Sequence, residues 1–205
     1  IRDIDPDSAA GPNGFSSLFY QASWSIIKAD VIDAVQDVFA GGVIPQGYIA
    51  TTIVLIIPEK DQPGQSSEFR PISLCTTMNK VITKILAARL SMVLSKIISP
   101  NQSGFLLGRS IADNVFLAQE LVHHLNEKVR GGNLLFKLDM LKAYDIIYWQ
   151  FLLKMIEKFG FSEEWLSLAK TCVCQCQFSV LVNVQIAGFF ASSRGLRQGN
   201  PIFPA

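Results

Sequence analysis

The chain has 205 residues, of which 49% are apolar and 17% charged, and its formal net charge is +1. Such a composition belongs to a chain that folds, and the length suffices for one sizeable core or for two linked subdomains. A free nucleic-acid-binding domain is usually more basic, although a local basic groove is compatible with this balance. The longest aliphatic run, Ile53–Ile57, is too short to cross a bilayer.

The N-terminus carries no apolar signal segment, and the first residue is Ile1 rather than Met. We therefore expect a fragment of a longer reading frame that is intracellular, in the nucleus or the cytoplasm, and not secreted. In that setting the four cysteines are expected to be reduced.

Hydrophobic periodicity predicts helices over residues 24–40, 79–98 and 111–128. Between the first two, the β-branched run from Thr51 to Ile57 predicts a strand that Pro58 stops. Residues 59–69 are polar and predict a loop.

In the second half of the chain, the apolar run that begins at Leu134 predicts a strand ending at Asp139. The remaining predicted elements are a helix over 149–159, a short helix from Ser162 to Lys170, and strands over 178–184 and 189–192 joined by a turn at 185–188. Long helices come first and strands interleaved with helices come later, which predicts an α+β fold.

Cys172, Cys174 and Cys176 recur at every second position. This spacing would place the three thiols on one face of a strand. A zinc site needs four tetrahedral ligands, and the only histidines, His123 and His124, lie far upstream. We therefore expect buried and inert thiols rather than a metal site.

Asp139 is a candidate metal ligand because a carboxylate at the exit of a strand can face a metal ion and a phosphate. Nucleotidyl transfer depends on positioning and charge stabilisation, often by two divalent ions that carboxylates hold. Such a site needs at least two aspartates that converge from different strands. An aspartate at a strand end is more often a turn or cap residue, so the surrounding pattern has to decide.

That pattern is Asp-x-x-x-Ala-Tyr-Asp from Asp139 to Asp145, followed by Arg-Gly-Leu-Arg-Gln-Gly-Asn-Pro from Arg194 to Pro201. Together they resemble the first two palm motifs of the reverse transcriptases of non-LTR (LINE-type) retrotransposons. Residues 69–74 and 102–114 resemble the fingers motifs of the same family, and residues 11–15 resemble a segment of its plant copies. The resemblance implies a right-hand polymerase fold, with the N-terminal extension and fingers in residues 1–130 and a partial palm in residues 131–205.

The resemblance also implies roles for individual residues in an RNA-directed DNA polymerase. Asp139 would be catalytic and would bind two Mg²⁺ ions. The other implied roles are nucleotide binding by Arg70, Tyr144, Gln198 and Gly199, contact with template or primer by Arg109 and Gln102, and a place near the triphosphate for Lys60. Asp145 is interpreted as a structural acceptor for nearby backbone or for a basic side chain. The implied partners are an RNA template, a DNA primer and deoxynucleoside triphosphates.

The sequence departs from the family at Asn200, where an aspartate is usual, at Phe203, where a serine is usual, and at residues 146–148. The chain also ends before the family's Tyr-Ala-Asp-Asp hairpin, so we expect these 205 residues alone not to polymerise DNA and to be poorly soluble. The alternatives are a catalytically dead remnant that at most binds RNA, a maturase-like RNA-binding protein, and an unrelated α+β domain.

Overall fold

The computed structural model describes residues 1–58, 61–62, 64–65 and 68–202, except for the side chains of residues 57, 58 and 126. Its helices are α1 (Ser17–Ala22), α2 (Trp24–Phe39), α3 (Gln46–Ile49), α4 (Thr77–Ile97), α5 (Ile111–His123), α6 (Ala143–Ile146), α7 (Trp149–Lys158) and α8 (Glu163–Cys174). Its strands are β1 (Thr51–Pro58), β2 (Phe69–Cys75), β3 (Gln177–Val182) and β4 (Gln185–Ala191). The predictions for Lys60 and Phe203, and part of the predicted loop over 59–69, lie outside the described residues.

The four strands form one sheet in the order β2-β1-β3-β4. β1 pairs with β2 in antiparallel register, with Thr51 opposite Cys75, and with β3 in parallel register, with Thr51 opposite Phe178. β4 completes the sheet as an antiparallel neighbour of β3. Two strands come from residues 1–130 and two from residues 131–205, so the predicted fingers and palm regions share this sheet. The division at residue 130 remains a prediction.

The main core lies where α2, α4 and α8 pack together with β3. Its buried members are Val38, Ile44, Ile49, Ile82, Leu86, Cys172, Cys176 and Phe178. A second cluster joins Tyr20 and Val31 to Met78 of α4. Burying an aliphatic or aromatic side chain of this size contributes roughly 1.5–3 kcal/mol. Several of these side chains precede residue 57, so the N-terminal quarter of the chain belongs to the same core.

Polar contacts hold the first fifteen residues against helix α4. Lys80 is buried and donates hydrogen bonds to the Ser8 hydroxyl and, at 3.1 Å, to the Ala9 carbonyl. The Thr77 hydroxyl donates to the Phe15 carbonyl at 3.0 Å. Burial lowers the pKa of Lys80. The N-terminal segment is therefore fastened to the helix by buried groups that would otherwise lack partners.

The predicted helices over 24–40 and 79–98 are confirmed by α2 and α4, and the predicted helix over 149–159 by α7. The third long helix ends at His123 and passes into a 3₁₀ turn, His124–Asn126, short of the predicted residue 128. Side-chain caps explain where several helices begin. The hydroxyls of Ser16, Thr76, Ser110 and Ser162 each accept a hydrogen bond from a backbone N–H in the first turn. None of the described helices is long and apolar enough to span a membrane.

The predicted strand ending at Asp139 is wrong. Residues 132–140 have no regular secondary structure and are exposed, with Phe136 78% and Leu138 90% accessible. A strand needs a neighbour for its backbone N–H and C=O groups, and no described strand pairs with this segment. Apolar composition alone therefore did not make a strand here.

The cysteine-rich stretch is also not a strand. Cys172 and Cys174 lie in α8, and β3 begins only at Gln177. Ser162 caps this helix, and the buried or half-buried residues 165, 168, 169 and 172 follow helical spacing. The expectation of buried thiols holds for Cys172 and Cys176, whereas Cys174 is half-buried. Burial raises the pKa of Cys172 to about 12 and that of Cys176 to about 11.

The last hairpin turns earlier than predicted, so the turn predicted over 185–188 is wrong and those residues belong to β4. Asn183 and Val184 connect β3 to β4 with φ angles of +49° and +66°. Two positive φ angles in succession match the twist of the flanking strands. A β-branched residue such as Val184 rarely adopts this conformation, which explains why the sequence did not signal the turn.

Candidate functional site

Two segments that lie about fifty residues apart in the sequence meet in the structure. The backbone N–H of Leu196 donates to the Tyr144 carbonyl, and that of Gly195 donates to the Ile147 carbonyl, both at 2.8 Å. Tyr148 and Arg194 form an isolated antiparallel bridge. We call residues 142–148 the acidic turn and residues 194–201 the glutamine loop. These hydrogen bonds bring the two segments that carry the palm resemblance side by side.

Gly195 is the point of closest approach between them. Its φ is +87°, and a Cβ atom at this position would lie 2.7 Å from the Asp145 carbonyl oxygen. Any other residue would both strain the backbone and collide with it. The indole N–H of Trp149 donates to the Gly195 carbonyl at 2.7 Å. Glycine is therefore required here by the packing of the acidic turn.

Gln198 lies between strand β2 and the acidic turn. Its carbonyl accepts a hydrogen bond from the Ser73 N–H at 2.9 Å. Its side-chain amide donates to the Asp145 carboxylate, with Nε2 and Oδ1 3.4 Å apart. Gly199 follows with a φ of +95° and would place a Cβ 3.1 Å from the Ser73 carbonyl. Asp145 thus acts as an acceptor, but for an amide rather than for the expected backbone or basic group.

A cavity of about 280 Å³ opens between the sheet and the glutamine loop. Ile53, Leu55 and Phe69 are among the apolar residues of its wall. Its polar lining includes Lys142, Asp145, Arg194 and Gln198. An apolar wall with a few convergent polar groups is the usual character of a small-molecule site. This cavity can accommodate a flat or apolar group and offers charges of both signs beside it.

The predicted nucleotide-binding residues and the predicted catalytic residue Asp139 are not all placed at this cavity. Gln198 lines it and Gly199 is adjacent, while half-buried Tyr144 holds the glutamine loop through its carbonyl. Arg70 is exposed on β2, and Asp139 is exposed on the irregular segment; neither lines the cavity. The structure therefore brings Tyr144, Gln198 and Gly199 together and leaves the other two outside.

The described residues do not form a site for two metal ions. No group of three His, Cys, Asp or Glu side chains in the described ranges is placed to hold a metal. A two-ion site needs carboxylates that converge, and Asp139 stands on an exposed segment apart from the cavity lining. The carboxylates of this part of the chain therefore do not fit a two-ion site by themselves.

Arg109 has a structural position that the sequence did not indicate. Its guanidinium donates to the carbonyls of Ser99 at 2.5 Å, Gln102 at 2.6 Å, Ile98 at 3.0 Å and Ser95 at 3.1 Å. These carbonyls lie at and beyond the C-terminal end of α4, where helix carbonyls lack intrahelical partners. The Gln102 amide donates to the Gly104 carbonyl at 3.3 Å. Contact of either residue with template or primer stays a prediction.

Two buried polar residues anchor the glutamine loop to the rest of the fold, and the sequence did not indicate this role. Arg197 and Asn200 are 7% and 3% exposed. The Asn200 amide donates to Oδ1 of Asn79 at 2.8 Å and to Sγ of Cys75 at 3.7 Å. No periodicity marks either residue, because both lie in an irregular loop. Their burial follows from tertiary packing alone.

Residues 57–205 match the reverse transcriptase (RNA-dependent DNA polymerase) family, and the chain belongs to that family. The chain is 29% identical over 203 residues to the Transposon TX1 uncharacterized 149 kDa protein of Xenopus laevis, a match that covers 98% of the chain and 15% of that protein. It is 23% identical over 201 residues to a retrovirus-related Pol polyprotein from a type-2 retrotransposable element of Drosophila melanogaster, covering 98% of the chain and 18% of the polyprotein.

A third relative is the probable RNA-directed DNA polymerase from transposon BS of Drosophila melanogaster, 26% identical over 155 residues, or 74% of the chain and 17% of that protein. The chain thus spans less than a fifth of the length of each relative. The predicted identity as a reverse transcriptase domain homologous to those of non-LTR retrotransposons is confirmed. The mixed helix and strand content agrees with that family.

Proposed function

We propose that this chain supplies the fingers and the first part of the palm to an RNA-directed DNA polymerase within a longer protein. The observation that carries the proposal is the junction of the acidic turn and the glutamine loop beside the cavity. Leu196 and Gly195 bond to the acidic turn, and Gln198 reaches Asp145. A nucleotide site needs residues from more than one segment, because the base, the sugar and the phosphates are each bound by different side chains or backbone groups.

The cavity offers an apolar wall to the base and sugar of a deoxynucleotide and positive charge to its phosphates. Its wall is largely apolar, and Gln198 supplies an amide that can hydrogen-bond a sugar or base edge. Lys142 and Arg194 bring positive charge to the same cavity and favour an anionic ligand. Tyr144 would limit the room beside the sugar, and Arg70 would bind the triphosphate as a bidentate donor.

The rest of the proposal concerns groups that do not line the cavity. Asp139 would contribute one carboxylate to a two-ion Mg²⁺ site in a right-hand fold, with further ligands from elsewhere in the longer protein. Its partners would be an RNA template, a DNA primer and deoxynucleoside triphosphates, in the nucleus or the cytoplasm. Residues 11–15, Gly-Pro-Asn-Gly-Phe, support a plant source.

Primer extension on oligo(dT)-primed poly(rA), with Mg²⁺ and thymidine triphosphate, tests this function. One sample is the 205-residue chain, and the other joins it to the part of the Xenopus relative that follows the matched region. We expect only the joined form to incorporate nucleotide and Asp139→Ala to abolish incorporation. Asp33→Ala, an exposed aspartate on α2, is the matched control and should leave the rate unchanged.

Incorporation by the joined form that survives Asp139→Ala would contradict the role of that carboxylate. Incorporation by the 205 residues alone would contradict the expectation that they are inactive by themselves. A joined form that folds and binds primed template but never extends it would contradict the polymerase function.

The alternative function is that of a catalytically dead remnant that binds RNA. The observation that favours it is the place of Asp139 on an exposed, irregular segment away from the cavity lining. Such a remnant would bind RNA through phosphate contacts, with affinity that falls steeply with salt, and would never incorporate nucleotide. RNA titrations at several salt concentrations beside the extension assay separate the two functions.

A further inference from the structure

Arg197 places a guanidinium inside the protein. It is 7% exposed, and its Nη1 donates to the Thr51 hydroxyl at 3.1 Å and to Sγ of Cys75 at 3.8 Å. Its Nη2 donates to the Cys172 carbonyl. The guanidinium therefore connects the glutamine loop to β1, β2 and α8 at once.

No carboxylate pairs with this cation among the described residues. The Cys172 carbonyl lies in the last turn of α8, and Arg197 therefore meets the negative end of that helix's dipole. A buried charge is costly unless its hydrogen bonds are satisfied. The Cys172 carbonyl and the Thr51 hydroxyl accept the hydrogen bonds of the guanidinium. These bonds therefore fix the position of the glutamine loop relative to α8 and β1.

The residues beside Arg197 are anchored as well. The Gln198 carbonyl accepts from Ser73, and the Asn200 amide meets Asn79 and also the sulfur of Cys75 that Arg197 contacts. Gln198 lies between these anchors, and its side chain lines the cavity and reaches Asp145. Since a loop fixed on both sides has few conformations left, the direction of the Gln198 side chain follows from the anchors.

We propose that Arg197 is a positioning residue: by joining Thr51, Cys75 and the C-terminal end of α8, it fixes the Gln198 amide against Asp145 in the lining of the cavity. The proposal rests on the proposed function only for its consequence, which is the presentation of Gln198 to a nucleotide. The geometry of the contact itself does not depend on catalysis.

Arginine suits this position and lysine does not. Two separate nitrogens of one planar group reach acceptors on different elements, the Thr51 hydroxyl and the Cys172 carbonyl. A lysine ammonium is a single point at the end of a flexible stem and cannot hold both acceptors in a fixed plane. Arg197→Lys keeps the positive charge but loses the simultaneous hydrogen bonds to Thr51 and Cys172. This variant therefore separates the effect of the charge from the effect of the hydrogen-bond geometry.

The test reads the side-chain amide of Gln198 by ¹⁵N NMR on the whole chain without substrate. The two side-chain NH₂ resonances of Gln198 are assigned by their loss in Gln198→Glu. Asp145→Ala gives the chemical shifts of this pair when the contact with Asp145 is absent. We expect Arg197→Lys and Arg197→Met to move the pair to the Asp145→Ala position, and Thr51→Val to move it part of the way. Thr51→Val also serves if both arginine variants fail to fold, because it removes one acceptor and leaves the cation.

Arg109 supplies the matched control, because its guanidinium also bonds carbonyls at a helix C-terminus but does not line the cavity. Arg109→Met should lower the urea midpoint of unfolding and leave the Gln198 amide unmoved. If the Arg197 variants lower the midpoint but also leave that amide unmoved, Arg197 is merely structural and the proposal is overturned. Because the resonance is read without substrate, a joined form that binds primed template but never extends it would refute the proposed function and leave this result intact.

Discussion

The indole N–H of Trp149 donates a hydrogen bond to the Gly195 carbonyl at 2.7 Å, although the two residues lie 46 positions apart in the sequence. This bond fastens the start of α7 to the glutamine loop. Together with the Gly195 bond to Ile147, it makes the loop and the acidic turn a single packed unit. The position of Gln198 beside the cavity depends on this unit.

We expect Trp149→Phe to lower the free energy of unfolding by about 0.5–1.5 kcal/mol, since the ring packing is largely kept and one hydrogen bond is lost. Urea unfolding followed by circular dichroism measures the change. Trp165→Phe is the control, because the ring of Trp165 packs against Phe161 with centroids 4.7 Å apart and its replacement keeps an aromatic pair. An unfolding midpoint equal to that of the unaltered chain would show that the Trp149 bond carries no stability.

We expect Asn200 to stabilise the fold through its hydrogen bond to Asn79. Asn200→Leu removes the donor to the buried side-chain oxygen of Asn79 and the acceptor for the N–H of half-buried Ile202. Leaving a buried polar group such as the Asn79 oxygen without a partner costs about 1–3 kcal/mol. Asn200→Asp should cost less, because its carboxylate can accept from Ile202 and from a reoriented Asn79 amide. Chemical denaturation of both variants measures the difference, and equal losses would contradict this account.

Arg109→Met should destabilise the chain without changing how RNA binding depends on salt. All four contacts of its terminal nitrogens go to carbonyls near the end of α4. A residue that instead neutralises a phosphate would reduce the slope of log affinity against log salt by about 0.7–0.9 on its removal. Fluorescence titrations with a labelled RNA at several salt concentrations measure the slope. A reduction of that size would establish Arg109 as a phosphate contact.

Gly11 is required for the N-terminal segment to lie on the start of α4. A Cβ atom there would lie 2.5 Å from the Thr76 nitrogen and 2.6 Å from the Cys75 carbonyl carbon, both of which are backbone atoms. We expect Gly11→Ala to lower the unfolding free energy by about 1–3 kcal/mol, because the backbone has to shift. Gly47→Ala, with nothing within 4 Å of the added atom, is the control. Thermal unfolding compares them, and equal midpoints would contradict the close approach.

The buried thiols predict a loss of stability in alkali. The pKa of Cys172 is raised to about 12 and that of Cys176 to about 11, from 9.0, chiefly by burial. Because each folded-state pKa exceeds the unfolded value, the neutral thiols contribute their full stability below pH 9. They lose it as the pH rises toward 11–12, at about 1.4 kcal/mol per pH unit for each thiol.

Urea unfolding at pH 7, 9 and 10.5 measures this dependence. Cys172→Ala and Cys176→Ala should each flatten it above pH 9, whatever they do to stability at pH 7. Native labelling with iodoacetamide at pH 8 should modify half-buried Cys174 before the other two. A stability that stays constant to pH 10.5, or equal labelling of the three thiols, would contradict the burial of Cys172 and Cys176.

The main local elements of the fold could be predicted from the sequence, because their causes are local. Ser162 caps α8, the β-branched run from Thr51 marks β1, and apolar spacing marks α2 and α4. The family was also recognisable from short motifs, because the residues around Asp139 and Gln198 are specific in kind and order. These features depend on neighbours in the chain and not on the fold.

Only the tertiary structure decided the rest. Residues 132–140 have the apolar composition of a strand, but a strand also requires a partner, and no described strand provides one. Cys172 and Cys174 belong to a helix because that helix has its own cap and an apolar side that packs on the core. The hydrogen bonds from Arg197 to Thr51, from Asn200 to Asn79 and from Gln198 to Asp145 join residues 146, 121 and 53 positions apart. Sequence spacing carries no information about such distances, because the packing of the sheet and its helices sets them.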